Sequence, residues 1–184
     1  SQFTIYPGEH DPVWFCYPLE EMAIAAHANI NRLGTILHAA CVSIDGKGYL
    51  FAGTSGAGKS TISEIWDKVP GATVVTDERV LIREQDGEIW AYGTPWHGTA
   101  EIHKNLGVPL QSVFFIQHCI ENKASILSEI DVVNRLMVRC FPTFWHKGGM
   151  NFSLEFCNKI AERLSCYQLT FVPDINVTDY IRKL

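Results

Sequence analysis

The sequence predicts an α/β domain on a mixed sheet, with hairpin-rich strands and flanking helices, and three observations carry that prediction. Residues 53–61 read Gly-Thr-Ser-Gly-Ala-Gly-Lys-Ser-Thr, a complete G-x-x-x-x-G-K-[ST] phosphate loop of the Walker A kind. An apolar strand (49–52) runs into it and a helix-forming stretch (61–68) runs out, which is the context the motif requires. A second apolar strand, 72–76, ends in the adjacent carboxylates Asp77 and Glu78. Asp77 follows Lys59 by only 18 residues (77 − 59), room for one helix and a turn. The acidic strand is therefore the next element after the loop helix, which points to a hairpin-type sheet rather than a doubly wound one.

The other elements follow from periodicity and punctuation. Residues 1–17, rich in proline and aromatics, read as an irregular lead-in. Leu19, Met22, Ala23, Ala26, Ile30 and Leu33 fall on one face of a helix over 18–34, with Pro18 at its start and Gly34 past its end. A buried strand over 36–44 turns through Asp-Gly-Lys-Gly at 45–48 into the strand that feeds the loop. Pro70-Gly71 stop the loop helix. Strands at 80–83 and 89–92 flank Gln-Asp-Gly at 85–87, a hairpin signal. Residues 93–107 read as a loop, with Trp96-His97-Gly98 as a lid or an aromatic packing corner, and 113–120 as a strong strand. Ile126, Leu127, Ile130, Val133, Met137, Cys140 and Phe141 mark a second helix stopped by Pro142. A third helix covers 152–164, a closing strand 167–171 and a short terminal helix 177–181. One domain over 1–184 is expected, its loop-bearing core at 36–120 and a helical part with the closing strand at 121–184.

Composition removes several classes of function. A net charge of −5 and no Lys/Arg run argue against nucleic acid or an anionic membrane as partner. No apolar stretch approaches the ~18 residues of a membrane span. The six cysteines show no C-x-x-C pair and lie mostly among apolar neighbours, so buried, reduced thiols in a cytoplasmic protein are expected. The histidines show no H-x-x-x-H pair with carboxylate support, so no structural zinc is expected.

The loop and the acidic strand end specify a chemistry. Gly53, Thr54, Ser55, Gly56, Ala57, Gly58, Lys59, Ser60 and Thr61 are the expected nucleotide-binding set. Their backbone N–H groups and the helix N-terminus surround a polyphosphate, Lys59 reaches the β- and γ-phosphates, and the Ser60 hydroxyl ligands Mg²⁺. Phosphoryl transfer also needs a carboxylate near the metal and a group that takes the acceptor's proton, and a strand end can deliver both as Asp77 and Glu78.

The short spacing carries a resemblance. Around it the chain resembles the catalytic domain of HPr serine kinase/phosphorylase, whose core is shared with phosphoenolpyruvate carboxykinase. The matching pieces are His38 in Leu-His-Ala, the loop at 53–61, and Val-Thr-Asp-Glu at 75–78 against the family's Val-x-Asp-Asp. More weakly, Glu-Ile-His-Lys-Asn-Leu-Gly-Val at 101–108 stands against Glu-Ile-Arg-Gly-x-Gly-Ile. The Tyr-Gly-Thr-Pro-Trp segment at 92–96 and the Tyr-x-Leu-x-Phe-x-Pro-Asp strand at 167–174 are similar to compact HPr-kinase-like proteins. Some of those are tailoring kinases that phosphorylate a serine of a ribosomally made peptide.

The resemblance implies an ATP- and Mg²⁺-dependent serine kinase acting on a small protein or peptide. It implies Asp77 as a metal-positioning group, Glu78 in the place of the proton-accepting Asp, Glu101 as a further metal ligand, and His38 near the transferred phosphate. HPr kinases assemble as hexamers, so a homo-oligomer is among the expectations. Two departures stand out. The acidic pair is Asp-Glu rather than Asp-Asp, and no Pro-Gly-Arg-Asn-like segment is present, leaving Arg135, Arg139 and Lys147 as substitutes without motif support. The alternatives are a small-molecule kinase on the same core and a nucleotide-binding regulatory module.

Overall fold

A computed structural model describes residues 13–184, with side chains from Leu19 onward. Helix α1 spans Val13–Ile30, and strands β1 (Thr35–Ile44) and β2 (Lys47–Ala52) form the hairpin that leads to the loop. Helix α2 (Lys59–Trp66) follows, then β3 (Thr73–Thr76), the hairpin β4 (Arg79–Gln85) and β5 (Glu88–Gly93), and the long β6 (Gly107–His118). The chain closes with β7 (Lys123–Ile126), α3 (Glu129–Met137), α4 (Lys147–Arg163), β8 (Ser165–Phe171) and α5 (Asn176–Ile181).

The sheet is mixed, as the spacing predicts. β2 and β8 both run parallel to β6, whereas β1 pairs antiparallel with β2, β3 and β4, and β5 pairs antiparallel with β4 and β6. The strands β1, β2, β6, β5 and β4 thus close a ring of pairings, and β3, β8 and β7 lie outside it. β1 reads as a continuous apolar run because helices cover both its faces. Leu37, Ala39 and Cys41 point to Val132, Leu136, Phe156 and Ile160 of α3 and α4. Ala40, Val42 and Ile44 point the other way, to Ile62, Ile65 and Trp66 of α2 and Val177 and Ile181 of α5.

Several boundaries differ from the sequence reading, each for a local reason. The part of the irregular lead-in at 1–12 lies outside the described residues, but 13–17 are helical, so Pro18 sits inside α1 and not in its first turn. α1 ends before Gly34. Leu33 N–H donates to Ala28 O (2.8 Å) and Arg32 N–H to Asn29 O (3.2 Å), with Arg32 at φ 57°, a left-handed helix end without glycine. Gly34 answers a different need. A Cβ there would lie 2.3 Å from the carbonyl of Ile82 on the neighbouring strand.

Ile126 belongs to β7, paired with Tyr167, and the second helix begins only after Ser128, whose hydroxyl accepts from Asp131 N–H at 3.2 Å. α4 starts at Lys147, five residues before the expected start, because the His146 ring caps it by accepting from Gly149 N–H at 2.9 Å. Cys41, Cys140, Cys157 and Cys166 are buried free thiols, whereas Cys119 is exposed. No helix among the described residues is long and apolar enough to cross a membrane.

Candidate active site

The site lies where β2, β3 and β1 bring three segments together. β2 ends at Ala52 against Phe115 of β6, and the chain then turns through the loop into α2. β1 runs antiparallel beside it with Ala39 opposite Ala52, which puts His38 at the base of the loop. β3 lies on the other edge of β1 and ends at Thr76, so Asp77 and Glu78 arrive on the same side; Ala39 N–H donates to Glu78 O at 2.9 Å. One cleft of about 390 Å³ is lined by His38, Lys59, Ser60, Asp77 and Glu78 together with Ser55, Gly56, Gly58 and Thr61. Gly53 is buried beneath the loop, and Thr54 and Ala57 face a second cavity on its far side.

The loop is held in shape by its own lysine. Lys59 Nζ donates to the carbonyls of Gly53 (3.1 Å) and Thr54 (3.2 Å), folding the ammonium back across the loop. Ser60 Oγ lies 3.1 Å from Thr99 Oγ1. Thr99 belongs to a segment clamped by Asp77, which is 2 % exposed. Gly98 N–H donates to Asp77 Oδ1 (2.8 Å) and Ala100 N–H to Oδ2 (2.9 Å). The 101–104 stretch reinforces the clamp by pairing with β3, with Asp77 N–H on Ile102 O (3.2 Å) and Lys104 N–H on Val75 O (2.8 Å). Any side chain at residue 98 would collide with the acids, since a Cβ there falls 2.9 Å from Asp77 Oδ2 and 3.1 Å from Glu78 Oε2.

This clamp gives a prediction about stability. An asparagine at 77 has one carbonyl oxygen for two partly buried N–H donors and turns its own buried NH₂ toward the other. Asp77→Asn is expected to cost about 1–3 kcal/mol, the usual penalty for stranding a buried polar group. Denaturant unfolding of the two proteins measures it, and equal midpoints would mean that the clamp is not formed.

Glu78 is less buried and better connected to charge. Its Oε1 accepts from Arg79 Nη1 and lies 3.9 Å from His38 Nε2. Arg79 in turn is held by Glu21 of α1 and lies over the Phe141 ring, 5.0 Å from its centroid. His38 is pushed down to about 4, by burial of its ring first, with the cations Lys59, Arg79 and Arg139 adding to it and Glu78 opposing. It is therefore a neutral imidazole at pH 7. The unfolded chain takes up a proton at this histidine near its ordinary value of 6.5 and the folded chain only near 4. Stability from this site is complete above pH 6.5 and falls as pH drops toward 4. Denaturant midpoints at pH 7 and pH 5 are expected to differ less in His38→Gln than in the parent, and an unchanged difference would remove His38 from this role.

The structure does not gather every expected residue. Glu101 is exposed, at φ 55°, and is not among the groups lining the cleft with Ser60 and Asp77. Lys147 is exposed at the start of α4, away from those groups, whereas Arg135 and Arg139 line the cavity behind the loop. Trp96 is a packing corner, 5 % exposed against Ala25 and Ile36. Thr99, Arg79 and His118 were missed by the sequence reading. Thr99 and His118 line the cleft and Arg79 pairs with Glu78, but none belongs to a motif with fixed spacing.

No known protein-family model matches this chain, and no curated protein does. Among solved structures, it is similar to the HPr(Ser) kinase/phosphatase from Coxiella burnetii. The two share 11 % identity over 80 % of this chain and 90 % of that one, with a TM-score of 0.44. At that distance the reading of the site rests on this chain's own residues.

Proposed function

We propose that this protein is an ATP- and Mg²⁺-dependent phosphotransferase that moves the γ-phosphoryl group to a hydroxyl, and that its acceptor is a serine of a small protein or peptide. The observation that supports the reading is the convergence of Ser55, Gly56 and Gly58 of the phosphate loop with Lys59, Ser60, Asp77 and Glu78 on one cleft. The donor set suits a hard divalent ion: the hydroxyl of Ser60 and the carboxylate of Asp77, whose oxygens each keep a lone pair after accepting one N–H. Bound there, Mg²⁺ would neutralise charge on the phosphates.

The chain's own groups divide the remaining work. Loop amides and the N-terminus of α2 hold the polyphosphate, and Lys59 exchanges its two loop carbonyls for phosphate oxygens. Glu78, with one oxygen on Arg79, accepts the proton of the attacking hydroxyl. Catalysis is then mainly positioning and electrostatic stabilisation.

Transfer from γ-labelled ATP into a lysate of the source cells tests the reading. Lys59→Ala is expected to lower labelling of the acceptor by about 10²–10³-fold, the usual effect of removing one preorganised donor from transition-state charge. Lys59-dependent ATP binding without any transfer would replace the kinase by a nucleotide-binding regulatory module. Label in a metabolite fraction would replace the peptide acceptor by a small molecule.

A further inference from the structure

Behind the phosphate loop lies a second cavity, of about 470 Å³, that the cleft chemistry does not use. It shares Ser55, Gly56 and His118 with the cleft, so the two meet at the tip of the loop. Its far wall carries Arg135, from the last turn of α3, and Arg139, just past that helix. Both guanidinium groups lie 5.5 Å from the centroid of the Phe115 ring, which gathers two like charges at one place.

Among the described residues that gathering has no counter-charge. Neither arginine makes an ion pair among the described residues. Arg135 Nη1 donates to the neutral amide of Gln168, and Arg139 Nη1 donates to the carbonyl of Arg135 at 2.7 Å. Arg139 Nε is buried and has no hydrogen-bond partner among the described residues. Helix capping alone accounts for one of the five donors on Arg139 and for none of the crowding. Like charges held side by side repel, and a stranded buried donor costs more again. An arrangement of this kind becomes favourable once an anion enters and takes two or more charge-assisted hydrogen bonds.

Position says which anion. The backbone of Arg139 is fixed beside the site, since His38 N–H donates to Arg139 O at 2.8 Å and Leu37 bridges Cys140. Lys59 and His38 are both pushed down, by burial first, and Arg139 is among the cations that add to it. The pair therefore flanks the transfer end of the loop, next to the cleft where Glu78 waits for a hydroxyl.

We propose that the Arg135–Arg139 cavity is an acceptor subsite that binds a phosphate or carboxylate group carried by the molecule to be phosphorylated. This rests on the phosphotransferase reading and narrows its substrate to an anionic acceptor. With one anion held by the pair, the acceptor's hydroxyl is delivered across the loop tip toward Glu78.

Calorimetric titration tests the subsite directly. The full chain is saturated with Mg²⁺ and β,γ-imido-ATP, so that the donor positions are filled, and then titrated with inorganic phosphate and separately with malonate. The parent is expected to bind one of these anions. The double variant R135Q/R139Q is expected to bind it about tenfold or more weakly, the loss of a charge-assisted contact, while its affinity for the ATP analogue stays nearly unchanged. Preference for phosphate assigns a phosphorylated acceptor, and preference for malonate a carboxylate one. R135K/R139K is expected to restore part of the anion affinity, which a purely structural role would not do.

Equal anion binding in parent and R135Q/R139Q, or none in the parent, overturns the proposal. So does a variant that loses the ATP analogue while keeping ADP, because the pair would then hold the donor's γ-phosphate. Failure of the parent to bind any nucleotide is a separate result. It overturns the phosphotransferase reading and with it the acceptor role, while phosphate titration of the nucleotide-free chain and R135Q/R139Q still shows whether the cavity holds anions.

Discussion

Glu78→Gln is expected to lower phosphoryl transfer by about 10²–10⁴-fold, the range that a positioned general base contributes, with Mg·ATP affinity nearly unchanged. The substitution is close to isosteric, so it leaves the cleft's shape and removes the capacity to take a proton. It also removes one partner of Arg79, but that guanidinium keeps Glu21 and its place over Phe141, so no buried cation is stranded. Stability is therefore expected to change little, and single-turnover rates with labelled ATP isolate the chemical step. Glu78→Asp separates reach from chemistry. It restores a carboxylate one methylene shorter, and recovery of part of the rate would show that proton acceptance, not length, was lost. A Gln variant as fast as the parent would move the base to Asp77 or remove it from the mechanism.

The two acids show how far the sequence could be read. An apolar run ending in Asp-Glu, one helix after a phosphate loop, placed both carboxylates at a strand end, and that inference needed only strand periodicity and spacing. What separates their environments was not readable. Asp77 is buried because residues 98–100 fold back over it, a contact 21 and 23 positions away that no local pattern encodes. Glu78 sits beside Arg79 in sequence, but the hold of Glu21 on that arginine spans 58 positions and comes from the packing of α1 against α4 and β1.

The arginines behind the loop tell the same story from the other side. Arg135 and Arg139 stood in the sequence as unsupported cations, four residues apart at a helix end. Only the parallel pairing of β6 with β2 brings Phe115, on which they gather, level with Ala52 at the start of the loop. Short-range signals failed where a single residue was read as punctuation. They misread α1 because an interior proline was taken for a first-turn proline, and Gly34 for a helix cap when it is a point of close approach between strands.

Gly58→Ala is expected to abolish nucleotide binding and to destabilise the fold by about 2–5 kcal/mol, the sum of a strained backbone and an overpacked contact. Gly58 holds φ at 104° and ψ at 23° as the residue preceding α2, a conformation that a β-carbon disfavours. The added methyl would also lie 2.5 Å from His118 Nε2 and 2.8 Å from Phe171 Cζ, and those two rings pack with centroids 4.8 Å apart. The exposed His118 ring can swing aside, but Phe171 cannot, because it is fully buried in the core beneath α2 and α5. The backbone must therefore give way, and the amides that would surround the phosphates move with it. Gly58→Ala with His118→Ala relieves the nearest clash and leaves the Phe171 contact and the backbone strain. Partial recovery of the thermal midpoint without recovery of Mg·ATP binding is the expected outcome, because the loop's function depends on where its N–H groups point. A Gly58→Ala protein that melts and binds nucleotide as the parent does would mean that the loop is not held between α2 and the His118–Phe171 pair.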